Sequence, residues 1–367
     1  MSDYRIEKDT LGEVRVPAEA LYGAQTQRAR ENFAISGLPP QPDYLWGMIT
    51  IKKAAALANM DTGRLDKKIG EAIVEAADEA LAGKLDAHFV IDPWQAGAGT
   101  SHNMNVNEVL ATRASQILKA DEAVHPNDHV NMAQSSNDTN PTAARLAALR
   151  VLPSLIEALE GLRDALANKA TEFDDIVKVG RTHLQDAVPI RLGQEFSGWA
   201  AGIDAAVERI ESASEALKEM PLGGTAAGTG INAEPAYIDS VVQHLRALTG
   251  WDLRKGENFF RLIQSGADIA YFSSSLRNAA IEISRIASDI RLLASGPRTG
   301  IGEIILPPVQ PGSSIMPGKF NPSMAEMMNM VCFQVMGADE VVSLAAEHAQ
   351  LDLNVFWPLF GFNVAFA

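Results

Sequence analysis

The sequence predicts a mainly α protein, an elongated antiparallel helical bundle with a smaller N-terminal domain. Three observations carry this. Apolar residues recur at three- and four-residue steps over stretches of roughly 20–25 residues. No alternating, β-rich series recurs, so no large sheet is expected. Pro and Gly gather between the periodic stretches, where loops belong.

The first ~45 residues read as irregular, punctuated by Pro17, Pro39, Pro40 and Pro42. A helix is expected next, from Met48, Ile51, Ala55 and Ala58 and the Ala-rich run Lys52–Met60. A second is expected from about Asp66 to Ala82, ending at Gly83, with Ile69, Ile73, Ala76 and Ala80 on one face. Four long stripes follow. The first is Leu149, Leu152, Ile156, Leu159, Leu162 and Leu166, with Pro153 inside it as an expected kink or early turn. The second runs from Leu192 through Trp199 and Ile210 to Leu217, the third from Ile269 through Leu276 and Ile286 to Leu293. The fourth is Met324, Met328, Val331, Val335, Ala338, Val342 and Ala345. Helices of this length are about 30–38 Å long and suit a bundle. The expected division is residues 1–138 as the N-terminal domain and 139–367 as the bundle. Extra small residues, among them Ala200, Ala205 and Ala280, widen the apolar faces beyond one stripe. A second face must then be buried, which points to self-association.

Composition narrows the partners. The chain has 367 residues, 47% of them hydrophobic, and a formal charge of −15. That charge argues against nucleic acid or an anionic membrane as the main partner. It leaves room for a small anionic substrate met by a local cluster of donors. The single cysteine, Cys332, allows no internal disulfide and fits a reducing cytoplasm. It falls in a helical apolar pattern, so a packing role is expected. The polar start, Met1 to Thr10, has no signal-peptide core, and no apolar run is long enough to span a bilayer. A cytoplasmic location is expected. The closing run Leu353–Phe362 is strongly apolar and uncapped, and is expected to expose apolar surface if nothing follows it.

Four segments concentrate small hydroxyls, amides and glycines, each expected beside a helix start. They are Gly97–Asn105, His125–Asp138, Gly180–Asp186 and Pro311–Pro322. The last is the densest. Its two serines, Lys319 and Asn321 can grip a carboxylate, and a helix is expected from about Ser323, where negative charge is favoured. Taken singly, each segment has an ordinary reading as well. Asn103, Asn105 and Asn107 suit caps or buried amides, and a polar loop is often a mere connector. His102, His125, His129 and His183 lack zinc-type spacing and no Cys joins them, so no catalytic metal and no cofactor are expected. Gly223–Gly230 is Gly-rich without a following Lys, which suits a tight turn better than a phosphate loop.

Gly-Ser-Ser-Ile-Met-Pro-Gly-Lys-x-Asn-Pro, from Gly312 to Pro322, resembles the signature of the fumarase/aspartase superfamily. The Thr100 block, Ser135-Ser136-Asn137-Asp138 and Gly180-Arg181-Thr182-His183 resemble its other signature blocks. The resemblance runs from about Arg5 to the last residue. It implies elimination of an amine or water from a succinyl-type dicarboxylate to give fumarate, and a homotetramer. It also implies more helix and a small terminal domain beyond Ala367. By this resemblance Ser313 is the base that takes the C3 proton. Lys319, Asn321 and Thr182 hold the α-carboxylate. Thr100, Ser135, Ser136 and Ser314 hold the carboxylate beside the abstracted proton. Asn137 and His183 face the leaving group, and Glu326 pairs with His183. His125, Asn127 and Asp128 match a secondary anion site of fumarases.

The implied chemistry is physically sound. Removing a proton α to a carboxylate builds an enediolate, so donors must stand where that charge develops. A serine can act as base only if its anion is stabilised, by backbone N–H groups or a cation such as Lys319. For ammonia as leaving group stand Ala98 before Gly99-Thr100, Ala345-Ala346-Glu347, the Gln350–Val355 run, Tyr22-Gly23 and the Lys52–Met60 segment, all similar to aspartases. For water stand His125-Pro126-Asn127-Asp128, Ser136 and Gly223-Gly224-Thr225. Phe320 departs from the usual Val of both. The balance favours aspartate ammonia-lyase chemistry, with fumarate hydration as the alternative. A catalytically silent bundle would keep the fold, but the joint presence of Ser313, Lys319, Asn321, Thr182 and His183 argues against it.

Overall fold

A computed structural model describes residues 4–119 and 124–367. The chain opens with an antiparallel hairpin of β1 (Tyr4–Asp9) and β2 (Gly12–Pro17). Helix α1 (Ala24–Asn32) follows. The start is therefore not irregular throughout. Val14 and Val16 do alternate inward, but over six residues that period is too short to stand out among the prolines. Helix α2 (Pro42–Asp61) begins at a proline that the sequence presents as a breaker. Pro is favoured in the first turn, where its missing N–H has no intrahelical partner to lose. Helix α3 (Lys67–Leu81) is capped by Asp66, whose carboxylate accepts the N–H groups of Lys68 and Ile69.

Next come α4 (Thr100–Leu118) and α5 (Ser136–Glu172). The α5 helix is continuous through Pro153, with no early turn there. Strands β3 (Val177–Thr182) and β4 (Gln185–Arg191) form a second antiparallel hairpin. After them run α6 (Leu192–Ser214), β5 (Glu219–Met220), α7 (Pro235–Thr249), β6 (Arg254–Lys255) and α8 (Phe259–Gln264). Then come α9 (Ala267–Leu293), α10 (Ser323–Glu347) and α11 (Trp357–Phe366). Among the described residues every sheet has two strands, and the fold is mainly α, as expected. None of the described helices is long and apolar enough to cross a membrane.

The chain forms two compact units. The first combines Met1–Val151, Ser214–Ala270 and Val341–Phe366. Its centre is α2, which packs on α3 and α7 and buries Met48, Ile51, Ala55 and Ala58. The closing run is not left outside. Trp357 and Phe360 are fully buried in this unit, and Trp357 Nε1 donates to the Ile263 carbonyl at 3.2 Å. Gly266 must lack a side chain because Phe360 occupies that space.

The second unit combines Leu152–Ala213 with Tyr271–Glu340. Its helix segments belong to α5, α6, α9 and α10. On α9 and α10 the polar partners run in opposite order. Ser273 donates to Asp339, and Asn329 donates to Ser284 and accepts from Arg291. The two helices are thus antiparallel. Here the expected stripe is partly displaced. Met324 and Val331 are 59% and 48% exposed, while Asn329, Cys332 and Asp339 lie inside. Hydropathy misses this face because Asn329 and Asp339 are buried as hydrogen-bonded partners of α9 serines, not as apolar surface. Cys332 is buried as expected, and burial raises its thiol pKa.

One carboxylate fixes the start of α5. Asp138 is fully buried and accepts N–H groups from Ser135 at 2.9 Å, Gly223 at 3.0 Å and Thr225 at 2.9 Å. The first caps the start of α5, where Ser135 Oγ in turn accepts the Asn137 N–H. The other two clamp the Gly-rich segment, which is a tight turn as expected, with Gly223 at φ +105°. Asp138→Ala would strand three N–H donors, those of Gly223 and Thr225 buried and that of Ser135 partly so. It is expected to destabilise the protein by about 3 kcal/mol or more, read from the urea midpoint. A loss within measurement error would show that the turn finds other acceptors.

Candidate active site

The residues singled out in the sequence fall into two groups, one in each unit. In the first unit Thr100 opens α4 and Ser136 opens α5. Their starts are tied by Asn140. Its carboxamide donates to the Gly99 carbonyl at 3.2 Å and to the Ser136 carbonyl at 2.9 Å, and accepts from the Tyr44 hydroxyl. Gly99 has φ +73°, and a Cβ there would collide with the Asn140 carboxamide. Both constraints require glycine at the turn into Thr100. Thr100 is exposed, and Ser135, Ser136 and Asn137 are half-buried. Ser135 Oγ accepts the Asn137 N–H at 3.2 Å, and Asn137 Nδ2 donates to the Ala226 carbonyl at 2.7 Å.

Below these hydroxyls lies a buried cation that the sequence presents as ordinary helix. Lys52 is fully buried and donates to Asn103 Oδ1 at 2.6 Å and to Asn131 Oδ1 and Gln134 Oε1 at 2.9 Å. All three amide groups therefore turn their NH2 ends away from it. Asn103 Nδ2 lies 3.5 Å from Ser136 Oγ. Burial pushes the Lys52 ammonium down to about 7, with Asp138 acting in the opposite sense. Burial likewise pushes the Asp138 carboxyl up to about 6 against its N–H bonds and the Lys52 charge. The available signal was a lysine on a run of Ala, Ile and Leu that is otherwise buried.

Asn127 and Asp128 sit on one turn, Pro126–Val130, which His125 caps. His125 Nδ1 accepts the N–H groups of Asn127 and Asp128 at 3.3 and 3.1 Å. All three residues lie at the surface.

In the second unit the Gly180–Asp186 block is not beside a helix start. It is the end of the β3–β4 hairpin, with Thr182 paired to Gln185. His183 and Leu184 form the two-residue turn at φ +54° and +58°. That geometry normally selects Asn or Gly, so the sequence carries no hairpin-turn signal here. Thr182 and His183 are exposed at the tip.

The Pro311–Pro322 segment is a loop that closes on itself. Gly312 N–H donates to the Lys319 carbonyl at 2.9 Å, and Asn321 Nδ2 donates to the Gly312 carbonyl at 2.9 Å. A Cβ on Gly312 would meet Lys319 O at 2.8 Å, so the closure needs glycine. Inside the loop, Ser313 Oγ accepts the N–H groups of Ile315 at 3.3 Å and Met316 at 3.1 Å. Ser314 and Lys319 are exposed. Glu326 lies in the first turn of α10, which begins at Ser323 as expected. Its expected partnership with His183 is not made within the described chain.

What each group can do follows from its atoms. The first offers hydroxyls at two tied helix starts, where partial positive charge favours an anion. The second offers a serine whose oxygen already receives two N–H groups, beside a lysine and an amide on one closed loop.

A buried histidine gives the first unit a pH limit. His102 is 2% exposed and its ring stacks on Tyr44 at 4.5 Å between centroids. Burial pushes its pKa down to about 4. The unfolded chain therefore takes up this proton first as pH falls from about 6.5, so stability drops between about pH 6.5 and 4. The full loss is up to about 3 kcal/mol. His102→Gln is expected to flatten the urea midpoint between pH 5 and 6.5 relative to the native chain. Parallel profiles would show that His102 titrates alike in the folded and unfolded chain.

The sequence family described as Lyase matches residues 12–337. An aspartate ammonia-lyase of Bacillus subtilis is 48% identical over 366 residues, covering 99% of this chain and 77% of that protein. A class II fumarate hydratase of Bacillus cereus is 47% identical over 365 residues, covering 98% of this chain and 79% of that protein. The crystal structure of a class II fumarase from Schistosoma mansoni superposes with a TM-score of 0.96 at 38% identity, covering 99% of this chain and 80% of that one. On its four signature blocks, its helical fold and these matches, the chain belongs to the lyase family of the fumarase/aspartase superfamily.

Proposed function

We propose that the chain eliminates ammonia from L-aspartate to give fumarate. Ser313 takes the C3 proton, and the hydroxyls of Thr100, Ser135, Ser136 and Ser314 meet the charge that develops on the adjacent carboxylate. Lys319, Asn321 and Thr182 hold the α-carboxylate, Asn137 and His183 face the amine, and Glu326 supports His183. The observation that carries proton abstraction is the Ser313 oxygen with its two N–H donors. Such donors lower the energy of an alkoxide before substrate arrives, which a serine base requires.

The choice of ammonia rests on local features, since relatives named for either reaction match about equally well. Ala98 and the Gln350–Val355 run, both aspartase-like, touch each other. The Ala98 N–H donates to the Val355 carbonyl at 2.8 Å, two residues ahead of Thr100. The second reading is hydration of fumarate to malate. The His125–Asp128 turn and the Gly223–Thr225 clamp favour it.

The reading also includes self-association, with a homotetramer as the state implied by the family. Its support is the outer face of α10, where Met324, Met330 and Phe333 are 59%, 64% and 59% exposed. A long helix rarely leaves so much apolar surface to water.

Fumarate absorbance after separate addition of L-aspartate and L-malate decides the leaving group. Fumarate is expected from L-aspartate, and production from L-malate alone would replace this reading by the second. In Ser313→Ala, turnover is expected to fall about 10²–10⁴-fold, the range for a lost general base. Exchange of the C3 proton with deuterated solvent should vanish with it. Near-normal turnover would remove Ser313 as the base and make His183 the next candidate. Light scattering at micromolar concentration tests assembly: a monomer there is incompatible with the tetramer.

A further inference from the structure

Lys52 orders the segment that leads into α5. An ammonium offers three donors and no acceptor. All three are spent on amide oxygens, that of Asn103 at 2.6 Å and those of Asn131 and Gln134 at 2.9 Å. An NH2 in any of these places would set donor against donor, so the flipped amides are excluded. The NH2 groups are thereby aimed elsewhere. Asn131 Nδ2 donates to the Gln134 carbonyl at 3.3 Å. Gln134 Nε2 donates to the Val130 and Met132 carbonyls at 3.0 and 3.2 Å. The turn that ends at Ser135 and Ser136 is thus folded around one buried charge.

Asn103 carries that order to a hydroxyl. It is buried, and with its oxygen held by Lys52 its Nδ2 faces Asn131 Oδ1 at 3.3 Å and Ser136 Oγ at 3.5 Å. The second contact is long, but its sense is fixed: the Ser136 oxygen meets a donor on its inner side. A hydroxyl has one proton to give and two lone pairs. On that side Ser136 can only accept. Among the described residues its own proton has no acceptor, and the side chain is only half-buried. The proton is therefore unspent and can point outward.

We propose that Asn103, oriented by Lys52, is a positioning residue: its NH2 is turned onto Ser136, which leaves the Ser136 hydroxyl proton for a substrate carboxylate. This rests on the reading that Ser136 meets that carboxylate. Neither Asn103 nor Lys52 touches substrate in this scheme. With an acceptor in place of the Asn103 NH2, the hydroxyl would turn inward and spend its proton there, away from the substrate.

Lys52→Met would strand three amide oxygens and endanger the fold, so the test uses Asn103→Asp. That change is isosteric. It keeps an oxygen on Lys52 and puts a second one where the NH2 faced Ser136. The readout is the Kd of succinate, a dicarboxylate with no amine to lose, measured by calorimetry below about pH 7, where the Lys52 ammonium keeps its proton. Kd is expected to rise about tenfold in Asn103→Asp and about tenfold in Ser136→Ala, each by the loss of one hydrogen bond to a charged group. When Asn103→Asp is added to Ser136→Ala, no further rise is expected, because the two changes remove the same contact. An unchanged Kd in Asn103→Asp overturns the proposal. So does a rise of equal size with and without the Ser136 hydroxyl, which marks added charge or general damage. A native chain that binds no succinate overturns it too. Turnover separates this idea from the functional reading. If the native chain forms fumarate from neither L-aspartate nor L-malate, the functional reading fails while the succinate cycle still decides the role of Asn103.

Discussion

Asp138 and Lys52 set the terms for the first unit. Each is fully buried, and each is surrounded by groups that need it. Asp138 satisfies three backbone N–H groups, two of them in a turn distant in sequence. Lys52 collects three amide oxygens from two segments. A buried charge is tolerable only when its hydrogen bonds are made, so the arrangement admits few alternatives. The helix starts of α4 and α5 are the surface expression of this buried set. Asn140 links them, and Gly99 gives it room.

The second unit reaches order by shorter-range means. The hairpin turn at His183 needs two successive residues with positive φ, and the Ser313 loop closes through its own backbone and Asn321. Neither needs a large core around it. Both present exposed groups. The cost of that exposure is that nothing in the loop itself sets where it stands. Ahead of it in the chain, Glu303 pairs with Lys178 and Arg181 inside the same unit. The helices contribute in a different way. Asn329 and Asp339 are buried on α10 because α9 offers serines as partners, so polar pairs set the facing of these two helices.

Much of this was legible in the chain. The long stripes marked the helices, because only a helix repeats apolar residues every 3.6 positions over some twenty residues. Asp66, Gly83 and Ser323 marked helix ends correctly, since caps act locally. The signature blocks identified the family and nominated Ser313, Thr182, Lys319 and Asn321. The N-terminal hairpin was hidden because Val14 and Val16 are its whole signal. The Gly180–Asp186 block was misleading because its hydroxyl and glycine suit a helix start, while the turn itself falls on His183 and Leu184, which carry no turn signal. The face of α10 was concealed because hydropathy does not count a paired Asn or Asp as buried.

What the sequence determined by itself was therefore whatever depends on neighbours along the chain: periodicity, caps, turn chemistry and the family signature. What only the tertiary structure decided was which distant polar groups share one space. Lys52 reads as one more helix-forming residue until Asn103, Asn131 and Gln134 are seen around it. Glu303 reads as a loop carboxylate until β3 brings Lys178 and Arg181 to it. The physical reason is the same in both cases. The energy of a buried charge is set by partners far away in the chain, and no local pattern encodes them.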